Sequence, residues 1–360
     1  MRKTLTTLIL TVLLLAALDV MVALGLGWAD RNGRLGSLVQ YFEYGRSVPG
    51  KLKRWQDRPD LPGNLHDVAW RSDLVALSQA DFAAETDTNH PVLRSYGMSF
   101  VNNILNAATQ LDPDLIWDGH AGPSAPPNYT YALFEDDRAN RRAGDIVVLG
   151  ILSSGVPAMA ALSNSSWLFE QPAPMTYPVY WPEGDGLRRI EPVISTSTQQ
   201  RALAQDPTLS TAWTAQLAQD DAFYGPQTFG LTWADASPFA RLVRRALVKP
   251  HTETVNARIL NGQDYPYAEA LRRMVRAFAH TARADGQVPI VVLVQTGDAR
   301  DADIYAITAP VLEADDIPYF ATAEHFDPTN RRGFVSDGHY KPEIDRMFGQ
   351  RLLDLIAAQP

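Results

Sequence analysis

Gly144-Asp-Ile-Val-Val-Leu-Gly150 is the stretch that most limits what this chain can fold into. Its apolar residues run without polar alternation, so a strand built from them is buried on both faces, as central strands of parallel sheets are. Parallel neighbours need long crossovers, usually helical. The sequence supplies them. Val92, Leu93 and Tyr96 form a short strand that leads into a helical apolar rhythm from Phe100 to Leu105, and Asp112 to Asp118 reads as a second strand. A helix is predicted over 128–140, then another from Tyr267 to Ala284, a strand Val288–Gln295 and a helix Ile304–Glu313. A short strand Ile317–Phe320 and a closing helix Glu343–Ile356 complete the pattern. This alternation predicts an α/β fold, a doubly wound three-layer α/β/α domain with a parallel sheet whose ligands bind at the carboxyl ends of the strands.

Ahead of that domain, residues 5–28 are nearly continuous Leu, Val, Ile, Ala and Thr behind Met1-Arg2-Lys3, long enough to cross a bilayer as a helix. Asp19 is the only charge inside. It costs up to about 2.5–3.5 kcal/mol at a helix centre, which the many Leu, Ile and Val residues more than offset at about 0.3–0.6 kcal/mol each. We read residues 1–30 as a single-pass anchor, in the membrane over 4–28. The competing reading is a signal peptide with its apolar region at Leu8–Leu18 and cleavage near Gly27-Trp-Ala-Asp30. Arg2 and Lys3 face Arg31, Arg34 and Arg46 across the segment. A charged N-terminus before a first apolar segment usually stays inside, so the remainder is expected in the periplasm or outside the cell.

Residues 31–88 read as a juxtamembrane lead-in. Its Leu35–Asp57 portion mixes aromatic and basic residues at helical spacing, suited either to a membrane surface or to a solvated connector. The α/β domain spans 89–358 and is interrupted at about 157–250, where the rhythm is lost and Trp, Tyr, Pro, Gln and Ser accumulate. Within that insertion Tyr177 to Ile190 predicts a β-hairpin turning at Gly184-Asp-Gly186, and Gln199 to Gln216 a weak helix. An insertion of this length either shapes a site or caps the domain.

At 360 residues and 46% hydrophobic, the chain can bury a large core. A net charge of −9 without a basic run argues against a nucleic-acid partner. With no cysteine, thiolate catalysis, disulfides and zinc–cysteine sites are excluded. No His-x-x-x-His or carboxylate cluster suggests a metal, and no cofactor is expected.

The turn Tyr96-Gly-Met-Ser99 puts a serine where a strand runs into a helix. Its hydroxyl stands at the strand's end and its N–H joins the unpaired donors of the first helical turn, an arrangement suited to a developing oxyanion. The bland reading is a helix N-cap. Far along the chain, Asp337-Gly-His339 sits just before the closing helix and offers the base and orienter that a serine nucleophile needs. His66, His251 and His280 are expected at the surface and His90 and His325 in structural positions, while His120, after the second strand, is a candidate for the pocket lining. Gly97-Met-Ser99-Phe-Val101 lacks the Gly-x-Ser-x-Gly elbow, which argues against an α/β-hydrolase.

In their order, these parts resemble the SGNH (GDSL-like) hydrolase superfamily over roughly Pro91 to Ile356, the insertion excepted. The resemblance implies a flavodoxin-like sheet and assigns Ser99 as nucleophile, His339 as base and Asp337 as its orienter, with Asp327 as fallback. It places Gly122 in the oxyanion hole, and Gly150-Ile-Leu-Ser153 where the family has Gly-x-Asn. Met98 stands at the family's Asp, Lys341 where many members carry Asn, and Leu152 at the Asn position, so Ser153 is expected to take over as donor. Asp337 lies two residues before the histidine, where the commoner spacing is three. The activity that the resemblance implies is that of an esterase, deacylase or O-acyl transferase acting on an acylated small molecule, envelope glycan or lipid. An alternative from another class is a glycan-binding or assembly factor that keeps the fold without full activity.

Overall fold

The computed structural model describes residues 2–32, 34, 36–60, 63–85, 90–171, 173–298 and 300–359. They divide into two compact units, one of Met1–His66, Ser165–Pro174 and Phe223–Val255, the other of Asp67–Asn164, Met175–Ala222 and Asn256–Pro360. The stretch expected as one insertion at 157–250 is therefore shared between the units, and the lead-in at 31–88 is divided at His66.

The larger unit holds a five-stranded parallel sheet. Its strands are β1 (Leu93–Met98), β2 (Trp117–Gly122), β3 (Ile146–Leu152), β6 (Val288–Val294) and β7 (Tyr319–Ala321), in the order β2-β1-β3-β6-β7. The antiparallel pair β4 (Val179–Glu183) and β5 (Gly186–Ile190) forms the expected hairpin, turning through Gly184 at φ 51°. Alternation along β1 sorts the helices into layers. Tyr96 meets Phe134 of the helix Pro127–Asp136, and Phe134 meets Phe278 of the helix Tyr267–Ala284. Its neighbour Gly97 faces the other way, onto Val101 of the helix Ser99–Leu111, and a Cβ at Gly97 would lie 2.9 Å from Val101 Cβ. Gly349 of the closing helix Pro342–Ala357 backs onto that same Ser99 helix. Helices thus cover both faces of the sheet.

β2 begins five residues later than the sequence suggested. Asp112 caps the preceding helix and its carboxylate accepts from the Asp114 amide at 3.2 Å, so the Asp-Pro-Asp stretch turns before the strand begins. Gly119, His120 and Ala121, poor strand formers, pair instead because β1 holds them in register, Tyr96 opposite His120 and Met98 opposite Gly122. The helix Arg71–Ala84 lies in the stretch read only as the juxtamembrane lead-in, where no helix was expected.

At the amino edge of the sheet, Arg94 is fully buried and ringed by carboxylates. It donates to Asp145 at 2.9 Å, Asp118 at 2.7 Å and Glu85 at 2.6 Å. Asp145 also accepts the amides of Val92 and Arg142. A buried cation is tolerated when its donors are met in this way.

The smaller unit contains the helix Arg2–Arg31, long and apolar enough to cross a membrane, with its apolar span exposed. The stretch read at helical spacing over Leu35–Asp57, whose Leu35 lies outside the described residues, holds the helices Ser37–Glu43 and Val48–Asp57, and Ser47 caps the second, accepting from the Gly50 amide at 3.1 Å. Val48, Phe169 and Val248 form a small core, with Leu52 and Phe229 against it. Charges hold the rest together. Asp235 accepts from the Ser47 amide at 2.9 Å and pairs with Arg244, while Glu43 is shared by Arg46, Arg54 and Arg241. Lys51 is buried with its ammonium 3.4 Å over the Phe169 ring, and burial lowers its pKa well below the ordinary value. His66, expected at the surface, is buried.

Candidate active site

β1 ends at Met98 and the next residue opens a helix, so Ser99 stands at the carboxyl edge of the sheet with its N–H among the first-turn amides that have no intrahelical acceptor. Glycine is needed at Gly97 and at Gly150 for this turn to pack. A Cβ at Gly150 would lie 2.6 Å from Val101 Cγ2 and 3.2 Å from the Gly97 Cα. The small residues let the Ser99 helix lie tight against β1 and β3.

The Asp-Gly-His loop reaches Ser99 across 240 residues of sequence, bringing His339 Nε2 to 2.6 Å from Ser99 Oγ. His339 Nδ1 lies 3.1 Å from Asp337 Oδ1, and the same oxygen accepts the His339 amide at 3.1 Å. Gly338, at φ 93°, allows this tight reversal. The backbone amide of His339, then its side chain, holds the Asp337 carboxyl below the ordinary Asp range. Asp337 is 68% exposed and His339 28%. Asp327, the fallback, instead accepts from the Thr329 amide and hydroxyl in a turn of its own.

Two residues beside the imidazole escaped the sequence reading. Phe100 sets its ring 4.7 Å from that of His339, and its place directly after the serine was the available signal. Asp345, on the closing helix, is buried with one carboxylate oxygen lacking a hydrogen-bond partner. Burial pushes its pKa up to about 6, against the pull of nearby His339. Tyr340 fixes the loop from below, its hydroxyl donating to the Gln295 carbonyl at 2.8 Å.

The oxyanion side is sparser. Gly122 is level with Met98 across the parallel ladder, one residue from Ser99, and a Cβ there would meet the Tyr129 ring at 3.0 Å and Met175 Sδ at 3.1 Å. Leu152 is buried and apolar. Ser153, expected to donate there, has its hydroxyl engaged with Thr296. Its hydroxyl is fully buried, accepts the Thr296 amide at 2.9 Å and shares a bond with the Thr296 hydroxyl, which donates in turn to Asp301. Burial raises the Asp301 pKa, partly offset by these bonds. The network borders a cleft of about 330 Å³ at the ends of β6 and β7, whose polar lining includes Gln295, Thr296, Asp298, Asp301, Tyr305 and Thr329. His120 lies within the sheet, buried and 3.0 Å from Asp118. Among the described residues, no group of three or more metal-ligating side chains is present.

Comparison of the chain with protein-family models, curated proteins and solved structures finds no match in any of the three.

Proposed function

We propose that this chain is an SGNH-type serine ester hydrolase or O-acyl transferase, anchored by its N-terminal helix and acting outside the cytoplasm on an acylated envelope glycan or lipid. The observation that carries the reading is the 2.6 Å contact between Ser99 Oγ and His339 Nε2, on an imidazole whose other nitrogen faces Asp337 at 3.1 Å. Ser99 Oγ attacks the acyl carbon as His339 Nε2 takes its proton. The oxyanion forms against the Ser99 amide and the Gly122 backbone, and the imidazolium returns the proton to the leaving alcohol. Water or a sugar hydroxyl, deprotonated by the same nitrogen, then frees Ser99.

The test is hydrolysis of a chromogenic acetyl ester by the full chain in detergent, alongside Ser99→Ala and His339→Ala. Turnover that depends on both residues supports the reading; turnover that survives Ser99→Ala overturns it. The binding-protein reading draws on the apolar Leu152 and the engaged Ser153, which leave the oxyanion site short of one donor. Covalent labelling of Ser99 by a fluorophosphonate would count against it.

A further inference from the structure

The helix Arg2–Arg31 is covered on one side only, and only in its second half. Lys3 to Leu18 are exposed, whereas Asp19, Val22, Ala23, Leu26, Ala29 and Asp30 lie along one face and are partly or fully buried by the rest of their unit. At the top of that contact Asp19 Oδ1 accepts the backbone N–H of Phe239 at 2.8 Å, in the first turn of the helix Pro238–Leu260. The one charge inside the apolar segment thus occupies a helix N-terminus, where unpaired amides and the helix dipole favour a carboxylate.

This contact fixes a depth. Residues 4–18 would rise only about 22 Å at 1.5 Å per residue, short of a hydrocarbon layer about 30 Å thick. A spanning helix must therefore continue past Asp19, and Trp28 lies about 13 Å further along its axis. Phe239, bonded to Asp19, is carried below the membrane surface with it. The residues around Phe239 have the matching chemistry. Phe239, Val243 and Leu247 recur at a spacing of four on one face and are 63%, 40% and 63% exposed, and Leu231 and Trp233, in the preceding turn, are 60% and 77% exposed. Leu231 sits at φ 52°, a conformation that a leucine rarely adopts, and gains no cover from its own chain by doing so. On the opposite face Arg241 and Arg244 turn inward to Glu43 and Asp235.

We infer that Leu231, Trp233, Phe239, Val243 and Leu247 form a lipid-embedded surface that enters the same leaflet as the N-terminal helix, making a second, monotopic membrane contact beside the anchor. The occupant is the acyl layer of the bilayer, because the patch is continuous with the exposed apolar helix and lies at its depth. The inference rests on the anchor reading. With two contacts to the leaflet, this unit is fixed against rotation about the anchor helix.

The absence of cysteine makes the test direct. Single cysteines at Trp233, Phe239 and Leu247, one per full-length chain, carry a bimane label in liposomes of phosphatidylcholine and phosphatidylglycerol with brominated acyl chains. Leu14→Cys reports the anchor and Asp185→Cys the aqueous side. All three patch labels should lose emission as the Leu14 label does, and their spectra should shift to the blue, while the Asp185 label is unchanged. If Leu14 is quenched and the patch labels behave like Asp185, the embedded surface is wrong and the anchor stands. If Leu14 is not quenched, both fall. Patch labels that are in water in the liposomes but shielded from water and lipid quenchers in native membranes would identify a protein partner and overturn the lipid assignment.

Discussion

The larger unit contains two histidine–aspartate pairs with the same spacing in sequence and nearly the same distance in space. His120 lies 3.0 Å from Asp118 and His339 lies 3.1 Å from Asp337. The first is locked within the sheet. His120 is 2% exposed and stacks on Tyr96, and Asp118 is tied to Arg94. The second is on a loop at the carboxyl edge, half open to solvent, with a serine hydroxyl on the far nitrogen. The pairing alone therefore says little about chemistry. A serine hydroxyl in reach and an open path make the difference, and burial away from both leaves the same two residues as scaffold.

The sharpest way to break this contrast is to remove the histidines in turn. His339→Ala and Ser99→Ala should each lower ester turnover by about 10⁴-fold or more, the scale seen when a member of such a triad is lost. His120→Gln should leave kcat/KM within a few-fold while lowering the melting temperature. Equal loss of activity in the His120 and His339 variants, in protein that is still folded, would erase the distinction between the two pairs.

Asp337→Asn tests how much an exposed orienter contributes. A buried triad aspartate is worth about 10⁴-fold, but Asp337 is solvated and its interaction screened, so a smaller loss of about 10²-fold is expected. The carboxyl is held below the ordinary Asp range by the His339 amide, so it stays ionised into mild acid and its orienting role persists there. A kcat for Asp337→Asn equal to that of the parent would remove Asp337 from the site.

Arg94→Met should do the opposite, leaving the site's chemistry alone and striking the fold. It strands Asp145, Asp118 and Glu85 without their shared cation. Removing one partner of a buried ion network costs about 3–5 kcal/mol. Urea denaturation measures it, and a variant as stable as the parent would show that the amino-edge cluster is not scaffold.

How much of this was legible depends on the range of the contacts. The strands at Leu93, Ile146 and Val288 show as local apolar runs, and the Ser99 turn and Asp-Gly-His loop as local residue patterns. What failed depends on distant partners. Ser153 looked free to donate, yet its hydroxyl is engaged by Thr296, 143 residues away. Gly119-His-Ala121 becomes strand because β1 pairs with it, not from its own propensity. The stretch at 157–250 read as one excursion because a change in composition does not say which unit each piece joins.

The smallest expected effect concerns the acid at the open edge that lacks what the amino edge has. Asp145 is buried and Asp118 half-buried beside Arg94, whereas Asp345 is buried with an unpartnered oxygen near the His339 ring. Its pKa, raised to about 6, lies above the unfolded value, so the folded state holds the proton more tightly. Between about pH 4 and 6 the folded chain binds more protons than the unfolded one, and stability falls as pH rises through that window. Asp345→Asn removes this slope. The variant should be more stable than the parent at pH 7 and nearly equal to it at pH 4, as read by melting temperature in matched buffers. A variant less stable at pH 7 would mean that the ionised carboxylate holds the loop through His339. Asp345 would then belong with the open-edge chemistry, as a second carboxylate acting on the imidazole.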